Sequence, residues 1–438
     1  MRRDLINTSL LVVVGRASGF LIPFVIAAAF GTTRQTDAFF LSYSLVLFIT
    51  LVVANLFETL VVPHVTNERA KGRDVAVLVS GIMIRSTGIL SLASIFLLLI
   101  INPLLTVTTD FSSESVTLAS RLVAEMVPMV LLVTWTSALN GALNAHKVFH
   151  VAALSPLFRS IIVIVSIFVL APRWGIHAAT WGFTVGEGAR FLVSLYFFQK
   201  RIGRLRFRGK PASGVSQFFT SAIFQIQGYA FHCIVPVINQ FMASWLNSGD
   251  ISIYMYAGRL RNLPFLLFSA GVASVILSYW ANQQSDGSGK FTWPHIARVI
   301  FRVAFLAALA ALCCVLLRQI ICSLALDWGA FPDSKLPSVE NLFSVLIISL
   351  PFDVVALLCV RLLIILKCDV FFMVATFCKL LLTVALNYLL IPGFGLIGIG
   401  IATVGANTLY AIILFGHVRK YCILKEKDGV QEWNKAVH

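Results

Sequence analysis

The feature that most constrains this chain is a succession of apolar runs, each about 20 residues long, broken only by short polar stretches. At about 1.5 Å per residue each run crosses the roughly 30 Å of a bilayer's hydrocarbon, and each exceeds what a globular core uses. Composition agrees: 58% of the 438 residues are hydrophobic and 12% are charged, with a mean hydropathy of +0.90. Soluble domains hold only roughly 45–50% apolar residues. The chain therefore reads as an all-α polytopic membrane protein. Its first apolar run has no small-residue cleavage site after it and is too long for a signal-peptide core, so it reads as a span.

Hydropathy and polar breaks predict about twelve transmembrane helices, over 7–30, 37–62, 75–101, 116–143, 151–171, 175–199, 215–245, 251–281, 293–317, 341–366, 370–391 and 396–418. The breaks carry turn chemistry, as in Asn102-Pro103, Ala171-Pro172, Asn247-Ser248-Gly249-Asp250 and Ile391-Pro392-Gly393.

A net charge of +15 raises the prospect of nucleic acid, but the basic residues sit in short loops rather than on one face. One alternate set of loops holds Arg2, Arg3, Arg69, Lys71, Arg73, Lys147, Lys290, Lys367 and the basic tail; the other holds only Arg34, Arg173 and Lys335. The positive-inside rule then places both termini in the cytoplasm. The most basic stretch, "KRIGRLRFRGK" at 200–210, reads as a cytoplasmic linker resting on anionic membrane lipids. No nucleic-acid partner is expected.

Laying the second half over the first at an offset of about 220 pairs Lys147 with Lys367, Arg159 with Lys379, Pro172 with Pro392 and Gly175 with Gly395. "TVG" at 184–186 meets "TVG" at 403–405 with a one-residue slip. The expected organisation is a six-helix lobe over 1–199, a basic linker over 200–214, a second six-helix lobe over 215–418 and a cytoplasmic tail over 419–438. Both halves would begin on the same side, and transporters built as parallel repeats place the substrate path between the halves.

A charge at mid-bilayer costs a few kcal/mol or more, so charges in the spans mark function or pairing. Arg121 with Glu125 (i,i+4) and Glu187 with Arg190 (i,i+3) can pair along one helix. Arg16, Glu58, Arg85, Arg159, Arg259, Arg261, Asp353, Arg361 and Lys379 lack such a local partner. Basic residues outnumber acidic ones, which suits an anionic substrate; guanidinium forks match phosphate oxygens well. Arg16 lies about 15 Å along its helix, flanked by Gly15 and Gly19, which permit close helix approach. Arg259 and Arg261 are separated by about 200° of helical rotation, so only one can face a narrow path.

Other signals carry no chemistry. "GFGLIG" at 393–398 lacks the strand a dinucleotide site needs. His177 and His232 have no second ligand at metal spacing, and the eight cysteines lie scattered through apolar segments or, at Cys313-Cys314, side by side. The longest external loop, about 318–340, holds Asp327, Asp333 and Glu340 among prolines and aromatics, with no His and no clear nucleophile. No metal, no cofactor and no enzyme activity are expected.

A motif ties these readings together: "R-x-x-G-F…A-x-x-F-G…T-D-A-F-F", carried by Arg16, Gly19, Phe20, Ala27, Phe30, Gly31, Thr36, Asp37, Ala38, Phe39 and Phe40. It resembles the MurJ/MviN lipid II flippases of the multidrug/oligosaccharidyl-lipid/polysaccharide exporter superfamily. "NGALNAHKVFHVAALSP" (140–156), "SIYMYAGRLRNLP" (252–264) and "LVVP" (60–63) extend the resemblance over helices 1 to 8. It implies a V-shaped, MATE-like two-lobe transporter that flips undecaprenyl-pyrophosphate-linked glycans by alternating access in the bacterial inner membrane, as a monomer. It also implies that Arg16 and Arg259 bind substrate and that Asp37 serves in gating or ion pairing; as charges within the spans, Arg159 and Arg261 join the candidate substrate-binding residues and Glu58 the gating or ion-pairing ones. Ile22 and Pro23 stand where the family carries an arginine and an acid, and Asn262 where it carries the helix-8 acid. These departures favour an exopolysaccharide or capsule repeat unit over lipid II. A cation-coupled multidrug exporter and a non-transporting membrane scaffold are the alternatives.

Overall fold

The computed structural model describes residues 18–206, 213–269, 292–365 and 368–436, together with 15, 276 and 280. Among these the structure is helical throughout, without strands. The helices are α1 (Ser18–Phe30), α2 (Arg34–Ala70), α3 (Val75–Thr108), α4 (Ser113–Ala145), α5 (Phe149–Trp174), α6 (His177–Arg201), α7 (Ser213–Ala243) and α8 (Asp250–Leu267). They continue as α9 (Trp293–Leu316), α10 (Arg318–Leu326), α11 (Leu336–Ile347), α12 (Leu350–Ile365) and α13 (Asp369–Ala436). An all-helical chain is what hydrocarbon demands, since helices satisfy every backbone N–H and C=O internally. Six of the described helices are long and apolar enough to cross a membrane, or seven if the bent pair α11–α12 is one span.

Helix ends follow local chemistry. A capping box starts α2: Thr36 N–H donates to Thr33 Oγ1 at 3.3 Å, and Thr33 N–H donates to Thr36 Oγ1 at 2.7 Å. The side chains of Asp74 and Ser112 cap α3 and α4. Gly175 ends α5 with φ of +55°, a left-handed value that glycine adopts without steric cost.

Three differences from the sequence reading have physical causes. The tenth predicted span is broken into α11 and α12, which meet at a 43° bend. The predicted loop 318–340 contains α10, whose Cys322 and Leu326 are buried; these two lie one turn apart on a face that packs against α11. The eleventh and twelfth predicted spans form one assigned helix, α13, yet Thr376 Oγ1 lies 3.2 Å from Tyr410 Oη. Thirty-four residues of straight helix would separate them by about 50 Å, so α13 doubles back. Its reversal centres on Gly395, with φ of +54°, matching Gly175 at the corresponding place in the proposed repeat.

Two compact units are present: Met1–Ser252 with Trp328–Pro332, and Ile253–Asp327 with Asp333–His438. In the first, α2 packs against α4 and α7, and α5 against α6. Its core is apolar, with Phe39, Phe40, Leu78, Ile82 and Phe198 fully buried. In the second, α12 packs on α9 and α13, and α11 on α10 and α13, with Leu342, Phe343 and Leu414 buried.

Candidate functional site

Arg159 is the centre of the first unit's charged cluster. Its Nη1 donates to Glu187 Oε1 at 2.9 Å, and Arg190 Nη1 donates to Glu187 Oε2 at 3.3 Å. Arg190 Nε also donates to Ser155 Oγ at 3.2 Å. The Glu187 side chain is 0% exposed, against 21% for Arg159 and 13% for Arg190. The predicted Glu187–Arg190 pair is therefore present, and a second arginine joins it across the α5–α6 contact. Two guanidiniums face one carboxylate, so the cluster keeps a net positive charge. Arg159 Nε is buried without a hydrogen-bond partner, so this guanidinium has unused donor capacity.

Small residues make this approach possible. A Cβ on Gly186 would lie 2.9 Å from the Arg159 carbonyl oxygen and 3.2 Å from its Cα. A Cβ on Gly19 would lie 3.2 Å from Arg159 Nη2, so the motif glycine of α1 sits against the arginine. Gly15, which precedes the motif, abuts the Ala153 carbonyl and Pro156 of α5. Arg16 itself lies outside the described residues. The side chain of Glu58, on α2, does too.

Asp37 meets the start of α8. Among the described residues its carboxylate accepts from Gly249 N–H at 2.5 Å, from Ser252 N–H at 2.9 Å and from Ser252 Oγ at 2.6 Å. Thr36 Oγ1 adds a contact to Ser252 Oγ at 3.0 Å. The first turn of α8 presents unsatisfied N–H groups and the positive end of its dipole, and a carboxylate from α2 satisfies both. Gly249 permits this with φ of +95° and close packing on Thr32. The sequence marked both Asp37 and the 247–250 turn, but nothing in it joins positions more than 200 apart.

A second correction concerns Glu125. It was expected to pair with Arg121 on its own helix; instead His177 Nδ1 lies 2.7 Å from its Oε1, and the Thr180 hydroxyl donates to its Oε2. Thr184 Oγ1 donates to the Glu125 carbonyl at 2.9 Å. The α4–α6 contact supplies these partners, so helical spacing on α4 alone gave the wrong one. His177 is thereby accounted for as a bonded polar side chain.

In the second unit, Arg261 pairs with Asp353 and donates from Nε to Ser349 Oγ at 3.1 Å. Ser349 Oγ in turn donates to Asp353 Oδ2 at 2.7 Å. Arg261 is thus neutralised by α12, whereas Arg259 is half-buried on another side of α8. Lys379, which the repeat aligns with Arg159, lies over the Tyr410 ring at 5.0 Å, a cation–π contact. Asp353 and Arg261 are within its electrostatic reach.

Long apolar helices, joined by short breaks and bent at α11–α12, define a polytopic helical membrane fold. Solved structures agree on that fold. A lipid II flippase MurJ in an inward closed conformation matches with a TM-score of 0.81 and 20% identity, covering 98% of this chain and 94% of that one. An inward-facing multidrug resistance MATE family transporter of the MOP superfamily matches with a TM-score of 0.82 and 13% identity, covering 96% and 100%. The chain belongs to the lipid II flippase MurJ family, whose model matches residues 26–435. Among curated relatives, a probable lipid II flippase MurJ from Buchnera aphidicola is 26% identical over 317 residues, 65% of this chain and 58% of that protein. One from Thermotoga maritima is 25% identical over 318 residues, 72% of this chain and 64% of that protein. The chain thus spans about six tenths of the length of these relatives. The family's description is that of a transporter, not of an enzyme.

Proposed function

We propose that this chain moves an anionic, undecaprenyl-pyrophosphate-linked glycan across the bacterial inner membrane by alternating access. The observation that carries the reading is the surplus of basic side chains held within the spans. Arg159 and Arg190 share the single carboxylate of Glu187, and Arg261 and Lys379 stand near the single carboxylate of Asp353. Burying a charge costs free energy that a partner must offset. A transiently bound pyrophosphate offers that partner, with oxygens suited to guanidinium forks. Arg16, Arg159 and Arg259 are the substrate-binding arginines in this reading, and Arg261 acts through its ion pair with Asp353. Asp37, fastening the start of α8, and Glu58 serve gating. Six-helix lobes over 1–199 and 215–418, termini in the cytoplasm, a linker on anionic lipids and a monomeric state complete the proposal.

Family membership makes lipid II the first substrate to test. A second reading, an exopolysaccharide or capsule repeat unit, is favoured by one observation. Ile22, where the family carries an arginine, is 2% exposed; an apolar side chain at that position leaves the substrate one contact fewer. The experiment replaces Arg16 or Arg259 by Ala and follows transport of lipid II and of a capsule-type lipid-linked glycan in vesicles. Both variants should reach the membrane at normal levels yet lose transport of whichever glycan the parent moves. Undiminished transport by both variants would remove the proposed site.

A further inference from the structure

The first unit carries a groove of about 770 Å³ between α3, α4 and α6, within the roughly 300–1,000 Å³ of known ligand sites. Its wall is formed by Ile84, Trp135, Phe191 and Leu195, and one end is closed by Gln199 and Arg204. Trp135 Nε1 donates to Thr87 Oγ1 at 2.9 Å, so the indole's polar atom is satisfied and its ring is left as an apolar surface. Its ring centroid lies 5.5 Å from that of Phe191. Along α6 the wall runs from Phe191 to Gln199, about 12 Å of helix axis in a roughly 30 Å hydrocarbon layer.

The polar end of the groove is built rather than loose. After α6 the chain is pinned to α3: Arg206 N–H donates to Ser80 Oγ at 2.9 Å, and its guanidinium meets Asp74 at 3.3 Å. That carboxylate neutralises Arg206. Arg204, two residues earlier, is exposed at the groove and has no carboxylate within pairing distance among the described residues. Lys200 and Arg201 add positive charge at the same end of α6. An apolar slot entering the spans, with a fixed cation at its mouth, complements one molecule of the bilayer itself.

We propose that this groove is a binding site for an anionic phospholipid, one acyl chain lying along Trp135 and the phosphate meeting Arg204 beside Gln199. A zwitterionic lipid fills the slot equally well but gains less from the cation. A basic side chain at an anionic surface contributes ~1 kcal/mol, which is about a fivefold preference. The site does not depend on which glycan the chain moves.

The test uses the full chain in nanodiscs of phosphatidylcholine. Brominated phosphatidylglycerol or brominated phosphatidylcholine is titrated in, and the quenching lost in Trp135→Phe isolates the signal of that residue. The parent should favour phosphatidylglycerol about fivefold, and Arg204→Gln should bring the two lipids to parity. Arg173→Ala, which removes a cation at the opposite end of the α5–α6 pair, should leave the preference unchanged. Native mass spectrometry gives a second readout: one phosphatidylglycerol retained by the parent and lost from Arg204→Gln. Equal quenching by the two lipids in the parent overturns the site. So does an equal loss of preference in Arg173→Ala, which marks general surface charge. Displacement of the bromolipid by polyprenyl phosphate more readily than by phosphatidylglycerol assigns the groove to a polyprenyl tail and also overturns the proposal.

Discussion

The two basic clusters occupy the same station of the proposed repeat but are neutralised differently. In the first unit, α6 brings Glu187 to Arg159 and Arg190, and the carboxylate is wholly buried. In the second, the returning limb of α13 brings the Tyr410 ring, not a carboxylate, to Lys379. The acid there, Asp353, comes from α12 and goes to Arg261. The hairpin geometry is shared, down to glycines with φ of +55° and +54° at the two turns. Helix packing and charge pairing are therefore separable: close packing fixes where backbones run, while a single side chain decides which charge is neutralised.

The largest expected break of this comparison is Glu187→Ala. It leaves two buried arginines without their carboxylate, at a cost of about 3–5 kcal/mol. A lowered melting temperature in detergent and reduced membrane yield should follow. Asp353→Ala should cost less, because it leaves one paired arginine rather than two without a carboxylate, and the carboxylate it removes is 12% exposed against 0% for Glu187. A larger loss from Asp353→Ala would invert the comparison.

A smaller effect separates the two glycines. In Gly186→Val the new side chain meets the Arg159 backbone at 2.9 Å, overpacking worth about 1–3 kcal/mol. In Gly405→Val it meets only Leu386 Cδ1, at 3.4 Å, a flexible tip that can yield. Melting temperatures of the two variants should differ accordingly; equal losses would mean the two hairpins are packed alike. The smallest stability effect belongs to Lys379→Met, which forfeits one cation–π contact worth about 0.5–2 kcal/mol. If Lys379 contacts substrate, transport should fall in this variant while its melting temperature barely moves.

What the sequence determined by itself was the helical, membrane-spanning character, the positions of most helix ends and the excess of basic residues in the apolar segments. Each of these rests on local quantities: run length, turn residues, and the charge of a residue against its neighbours in the chain. The motif around Arg16, Gly19 and Asp37 also pointed to the family. What only the tertiary structure decided was partnership. Glu125 could reach Arg121 by helical spacing, yet it pairs with His177 and Thr180 on α6. Asp37 finds its donors at Gly249 and Ser252, and Arg261 finds Asp353. The physical reason is that a buried charge takes the partner that lies within about 3 Å, and which helices bring their side chains that close is set by packing, not by spacing along one strand of sequence.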